Sequence, residues 1–121
     1  MTEAIERLYR AVVAARGNDP ADCRTARLLA QGQVTIAKKV VEEASEVSLA
    51  YVTGERGEVV RETADLIYNL VALLCEMGIS PDEIWREMCE RERLLGIAGK
   101  RPKSRPKPSQ KAGTKTATVS A

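Results

Sequence analysis

Apolar side chains recur at helical spacing along most of the chain. Ile5, Leu8, Tyr9, Val12 and Val13 repeat at intervals of three and four within TEAIERLYRAVVAAR, which predicts a helix from residue 2 to about 16. Gly17 is a stop signal, and Asp19-Pro20 predicts a turn. TARLLAQG holds a short helix ending at Gly32. Ala37, Val40, Ala44, Val47 and Tyr51 then form one stripe, so a long helix is expected from about Val34 to Val52, ended by Gly54. The connection TGERG is short, which makes the next helix its antiparallel neighbour. That helix, roughly Glu58 to Met77, spreads Val59, Val60, Thr63, Leu66, Ile67, Leu70, Leu73, Leu74 and Met77 over a broad face. It is expected to be the most buried element. In ISPDE, Ser80 is placed to cap, Pro81 suits the first helical position and Glu83 completes a capping box, opening a last helix to about Leu94. From residue 98 the periodicity stops, and prolines and small polar residues take over.

These elements predict an all-α fold: an antiparallel helical bundle of four to five helices in one domain, residues 1–97, followed by a basic disordered tail, residues 98–121. Phe is absent, so Leu, Ile, Val and Ala must fill the core. A helix as apolar all round as residues 59–77 needs more cover than three short helices give, which points to a bundle completed by dimerisation.

Charge changes the picture in one respect. The whole chain is at +2, but its acidic residues all precede Lys100, and residues 1–99 carry 12 basic and 17 acidic side chains. The folded part is therefore acidic, which makes nucleic acid an unlikely partner apart from weak, salt-sensitive contacts of the tail. Cys23, Cys75 and Cys89 show no paired ligand spacing, and the chain has no histidine, which argues against a zinc site. Cys75, within LIYNLVALLC, reads as a small core residue. No apolar segment approaches the length of a membrane span and no signal peptide is visible, so the cytoplasm is the expected location.

The chemistry lies in KKVVEEASEV, residues 38–47. Glu42, Glu43 and Glu46 crowd one helix, where like charges at i,i+3 and i,i+4 repel. Glu43 falls at the edge of the apolar stripe with Glu46 beside it, and Glu62 and Asp65 flank the buried face of the returning helix, with Glu58 and Asn69 on the same flank. An antiparallel hairpin brings Glu43, Glu46, Glu62 and Asp65 together. Four such carboxylates either acquire raised pKa values or gather a cation. All-oxygen ligands suit Mg²⁺, with Mn²⁺ as the substitute, and such a site takes phosphate oxygens through the metal. The plainer reading of EExxE is a solvated face, with Lys38 and Lys39 as i,i+4 partners of Glu42 and Glu43. The sharper reading places Lys38 or Lys39 on a substrate phosphate.

EExxE followed by ExxD on adjacent helices, with TARLLAQG and IAKKVVEEASEV before and ETADLIYNLVALL and GISPDEIWREM after, resembles the all-α, MazG-like nucleotide pyrophosphohydrolases. Within that superfamily the pattern is most similar to the phosphoribosyl-ATP pyrophosphohydrolase family of histidine biosynthesis, over roughly residues 4–95. The resemblance implies cleavage of the α–β phosphoanhydride of phosphoribosyl-ATP, giving phosphoribosyl-AMP and pyrophosphate, by Mg²⁺-dependent dimers that share helices across the interface. It implies Glu43, Glu46, Glu62 and Asp65 as metal ligands and Glu42 as a supporting or water-orienting carboxylate, with Glu42, Glu43 and Glu46 the catalytic set. Lys38 and Lys39 would meet phosphate, and Thr25 and Arg27 would belong to a substrate-contacting segment. The family often has glycine at Val41, histidine at Asn69 and Ser-Tyr at Cys23-Arg24; an amide at Asn69 still hydrogen-bonds phosphate but carries no charge. Two other functions stay open: a housecleaning enzyme that hydrolyses (deoxy)nucleoside triphosphates to monophosphates, and a non-catalytic helical dimerisation module.

Overall fold

The computed structural model describes residues 2–96. Five α-helices follow one another, and no strand occurs among the described residues: α1 (Thr2–Ala15), α2 (Arg24–Ala30), α3 (Gln33–Thr53), α4 (Arg56–Met77) and α5 (Pro81–Leu95). The expected all-α architecture is observed. The expected tail, from residue 98 onward, lies outside the described residues.

Short polar signals set the helix boundaries. Asp19 Oδ1 accepts from the Ala21 N–H at 2.9 Å and folds the segment after α1 into a turn. Cys23 takes the place of a hydroxyl cap on α2, its Sγ accepting from the Ala26 N–H at 3.5 Å. Gly32 then has φ 96° and ψ 166°, a backbone open essentially to glycine alone, and this lets α3 start with only Gln31 and Gly32 between it and α2. Gly54 closes α3 in the left-handed region at φ 78°, with its N–H turned back onto the Ala50 and Tyr51 carbonyls. The capping box of α5 forms in part: the Ser80 N–H donates to Glu83 Oε2 at 3.2 Å, and Pro81 is buried at the first helical position.

The α3–α4 hairpin is the most extensive packing in the molecule, and α1 packs on α4 as well. Val12 of α1, Leu28 and Leu29 of α2, Ile36 of α3, and Val71, Ala72 and Cys75 of α4 form the core, with Ile5, Leu8, Tyr9, Ile67, Tyr68 and Leu73 half-buried around it. Arg16, just past α1, ties to Glu76 of α4 at 3.2 Å. The packed unit ends at Trp85, within α5. In the stretch from Arg86, the ion pairs are local to the helix, Arg91 with Glu87 and Arg93 with Glu90.

Two expectations about faces need correction. On α3 the inward line is Ile36, Val40, Glu43, Val47 and Ala50, and the expected Ala37, Ala44 and Tyr51 are exposed. Both faces of α3 are apolar enough to pass for a core stripe, and it is the fit to α4 that selects one. On α4 the fully buried residues are Asn69, Val71, Ala72 and Cys75, whereas Val60, Leu70 and Met77, expected inside, are exposed. The result is an apolar outer surface, with Val41 65% and Met77 73% exposed.

Candidate active site

The one-residue shift of the α3 face puts Glu43 inside the hairpin rather than at its edge. Glu62 and Asp65 meet it from α4, three residues apart and so on one side of that helix. One carboxylate oxygen from each of Glu43, Glu62 and Asp65 lies within 4.8 Å of the other two. Oε1 of Glu43 and Oε1 of Glu62 are shielded from solvent and accept no hydrogen bond. Glu46, one turn beyond Glu43, lies against Glu62. The Glu62 carboxyl is pushed up from its ordinary 4.5 to about 7, first by its hydrogen bond to Glu46, then by desolvation and by the charges of Glu46 and Glu43. All four predicted ligands are thus contiguous across the hairpin: three in a tight group, with Glu46 attached through Glu62.

This ridge of carboxylates separates two hollows. A cavity of about 300 Å³ is lined by Glu43 and Asp65 together with Arg24, Arg27, Leu28, Gln31, Lys39, Tyr68 and Asn69. On the other side Glu46, Glu58 and Glu62 border a shallower depression with Leu49, Ala50 and Thr53. Glu58 is engaged on α4 itself, accepting from Arg61 Nε at 2.8 Å. The first cavity combines an acidic floor with three cations, an arrangement suited to an anion bridged by a metal.

The remaining sequence candidates divide. Lys39 is half-buried and lines the basic cavity; Lys38 is exposed and does not. The i,i+4 ion pairs Lys38–Glu42 and Lys39–Glu43 are not among those formed by the described residues. Arg27 lines the cavity, with its Nη1 donating to the Pro20 carbonyl at 2.8 Å. Asn69 is 5% exposed, and its Nδ2 donates to the Asp65 carbonyl at 2.9 Å, which fixes the amide on the cavity wall. Thr25 is committed elsewhere: its Oγ1 is hydrogen-bonded to the Tyr68 hydroxyl at 2.7 Å, joining α2 to α4. Glu42 is exposed and stands outside the group of three carboxylates.

The sequence reading did not assign Arg24, Gln31 or Tyr68 to the site. Arg24 and Arg27 share one side of α2 at i,i+3, and Tyr68 follows Asp65 at i+3 on α4. Those spacings are the available signal, but what joins the residues is the crossing of α2 over α4.

A hard divalent cation fits this donor set. The three converging oxygens and the two shielded, unbonded Oε1 atoms are groups that repel without a cation and are satisfied with one. No single helix among the described residues is long and apolar enough to cross a membrane.

The sequence pattern of phosphoribosyl-ATP pyrophosphohydrolase matches residues 5–92. The chain is 53% identical over 105 residues to phosphoribosyl-ATP pyrophosphatase 2 of Rhodopseudomonas palustris, covering 87% of this chain and 80% of that protein. It is 54% identical over 104 residues to phosphoribosyl-ATP pyrophosphatase 2 of Bradyrhizobium diazoefficiens, covering 86% and 78%. It is also 43% identical over 96 residues to the histidine biosynthesis bifunctional protein HisIE of Wolinella succinogenes, covering 79% of this chain and 42% of that protein. With the carboxylate hairpin in place and the match running from α1 to α5, the chain belongs to the phosphoribosyl-ATP pyrophosphohydrolase family and is a hydrolase acting on a phosphoanhydride.

Proposed function

We propose that the chain hydrolyses the α–β phosphoanhydride of phosphoribosyl-ATP to phosphoribosyl-AMP and pyrophosphate, with Mg²⁺ held by Glu43, Glu62 and Asp65 and with Glu46 alongside. The observation that carries this is the convergence of three carboxylate oxygens within 4.8 Å beside a cavity rimmed by cations. When bound, the ion supplies positive charge to both carboxylate and phosphate oxygens and lowers the pKa of a nearby water. The chain's own groups do the rest. Lys39, one turn before Glu43 on α3, and Arg27 of α2 offset phosphate charge, and the fixed Asn69 amide offers a neutral hydrogen bond. Glu46, set against Glu62, holds the Glu62 carboxyl protonated to higher pH than usual, so Glu62 would give up that proton to hold a cation. Glu42 and Lys38 belong neither to the group of three carboxylates nor to the cavity lining.

The same reading includes a dimer, in which a second copy covers the apolar side of α3 carrying Val34, Val41 and Val52. A cytoplasmic location accords with a nucleotide substrate. The changed residues at Asn69 and Arg24 leave room for one competing reading, hydrolysis of ordinary nucleoside triphosphates. Incubating the protein with phosphoribosyl-ATP and with the common triphosphates, with Mg²⁺, with Mn²⁺ and with a chelator, decides between them. Release of phosphoribosyl-AMP and pyrophosphate only with metal is the expected result. Turnover that persists in the chelator, or that is confined to ordinary triphosphates, would refute the proposal.

A further inference from the structure

Two cations lining the cavity, Arg24 and Lys39, form no ion pair among the described residues, and of the two it is Arg24 that lies over an aromatic ring. Arg24 lines the cavity from the first turn of α2, on the same side as Arg27 and facing the same space as Lys39, Glu43 and Asp65. Arg27 spends a donor on the Pro20 carbonyl. Arg24 forms no ion pair with a carboxylate among the described residues. Instead its guanidinium lies 4.9 Å from the centroid of the Tyr68 ring. A guanidinium stacked on an aromatic face keeps its N–H donors around its rim, free for a planar or tetrahedral oxyanion. The ring beneath it is itself fixed, because the Tyr68 hydroxyl is bonded to Thr25, the residue next to Arg24. One short segment of α2 thus carries both the cation and the latch that holds its platform.

We infer that Arg24 is a substrate-positioning residue that grips a phosphate group of the substrate, and that Tyr68 positions it by holding the guanidinium over its ring. The inference rests on the reading of this cavity as the substrate site. It adds the point that the substrate is held at two places: through the metal at the carboxylate floor, and directly at Arg24. The phosphate it takes belongs either to the triphosphate or to a phosphomonoester elsewhere on the substrate, and the two sources are separable by probe.

The test uses the full chain with Mg²⁺. Wild type, Arg24→Met, Arg24→Lys, Tyr68→Phe and Tyr68→Leu are compared in steady-state turnover of phosphoribosyl-ATP, and in calorimetric binding of ATP and of ribose 5-phosphate, which needs no turnover. Loss of a charge-assisted hydrogen bond is expected to raise KM in Arg24→Met by about tenfold or more, with kcat within about threefold of wild type. Arg24→Lys should recover part of this, Tyr68→Phe, which keeps the ring but loses its latch to Thr25, should raise KM by less than Arg24→Met does, and Tyr68→Leu should follow Arg24→Met. Weakened binding of ATP in Arg24→Met assigns the triphosphate, and weakened binding of ribose 5-phosphate assigns the separate phosphomonoester; either supports the inference. Unchanged KM and unchanged binding of both probes in Arg24→Met overturn it, as does a wild type that binds neither probe. A wild type that binds the probes but fails to cleave phosphoribosyl-ATP refutes the proposed reaction instead, and the binding comparison still decides the role of Arg24.

Discussion

Tyr68→Phe removes a single oxygen from the molecule, and the structure says what that oxygen does. It is 2.7 Å from Thr25 Oγ1 in a half-buried contact between α2 and α4. A typical intramolecular hydrogen bond contributes about 0.5–1.5 kcal/mol net, and partial burial places the penalty for a stranded hydroxyl toward the low end of about 1–3 kcal/mol. The single substitution is therefore expected to cost about 1 kcal/mol, and for a domain of this size that lowers Tm by about 4–8 °C. The same bond sets the loss in Thr25→Val, so the double variant should be little worse than either single one. A double-mutant cycle by urea denaturation, at fixed protein concentration and in chelator, should return a coupling of about 0.5–1.5 kcal/mol. Additive losses, with a coupling below about 0.3 kcal/mol, would refute the argument that Thr25 is structural and restore it as a candidate substrate contact.

Above pH 7, where Glu62 too is ionised, replacing Glu43 or Glu62 by Gln, or Asp65 by Asn, should raise the Tm of the metal-free protein, because each removes one of three mutually repelling charges. Each should also lower turnover by more than about a hundredfold and abolish the rise in Tm on adding Mg²⁺; a metal-free variant less stable than wild type would count against the repulsion. The pH dependence follows from Glu62, whose carboxyl is raised from 4.5 to about 7 in the folded chain. The folded state keeps a proton that the unfolded chain has lost across that window, so this group's contribution to metal-free stability is full below 4.5 and declines as pH rises through 7. Thermal scans of wild type against Glu62→Gln in chelator should show this decline only in wild type, and Mg²⁺ should suppress it; identical profiles would refute it. Val41→Glu introduces a charge onto the apolar side of α3 proposed as the dimer face, where Val41 is 65% exposed. Light scattering should then show monomers at concentrations where wild type is dimeric, and an unchanged dimer would place the interface elsewhere.

Much of this was legible beforehand, for local reasons. Gly54 and the Ser80–Glu83 box work within a single turn, so their residues alone reveal them. The carboxylate site was also readable, because Glu62 and Asp65 share one helix side by spacing and a short connection forces the hairpin. The face of α3 was not. Ala37 and Ala44 are apolar and satisfy the helical period, yet the larger Ile36 is buried in their place. Periodicity finds a stripe, but which of two apolar stripes meets the neighbour depends on that neighbour's shape. Arg24 and Tyr68 were invisible as a pair for the same reason: 44 positions separate them, and only the packing of α2 on α4 brings them within 4.9 Å.

The hairpin that carries all four carboxylates is a single uninterrupted turn of chain around Gly54, so its contacts are close in sequence. Segments of low contact order close first and fastest during folding. The acidic groups are therefore expected to meet before α2, which lies earlier in the chain and packs on α4 across a long sequence separation, brings Arg24 and Arg27 to them. The hairpin is at its most self-repelling at that stage, and a divalent ion that binds these carboxylates would act on the folding rate, quite apart from any later part in catalysis.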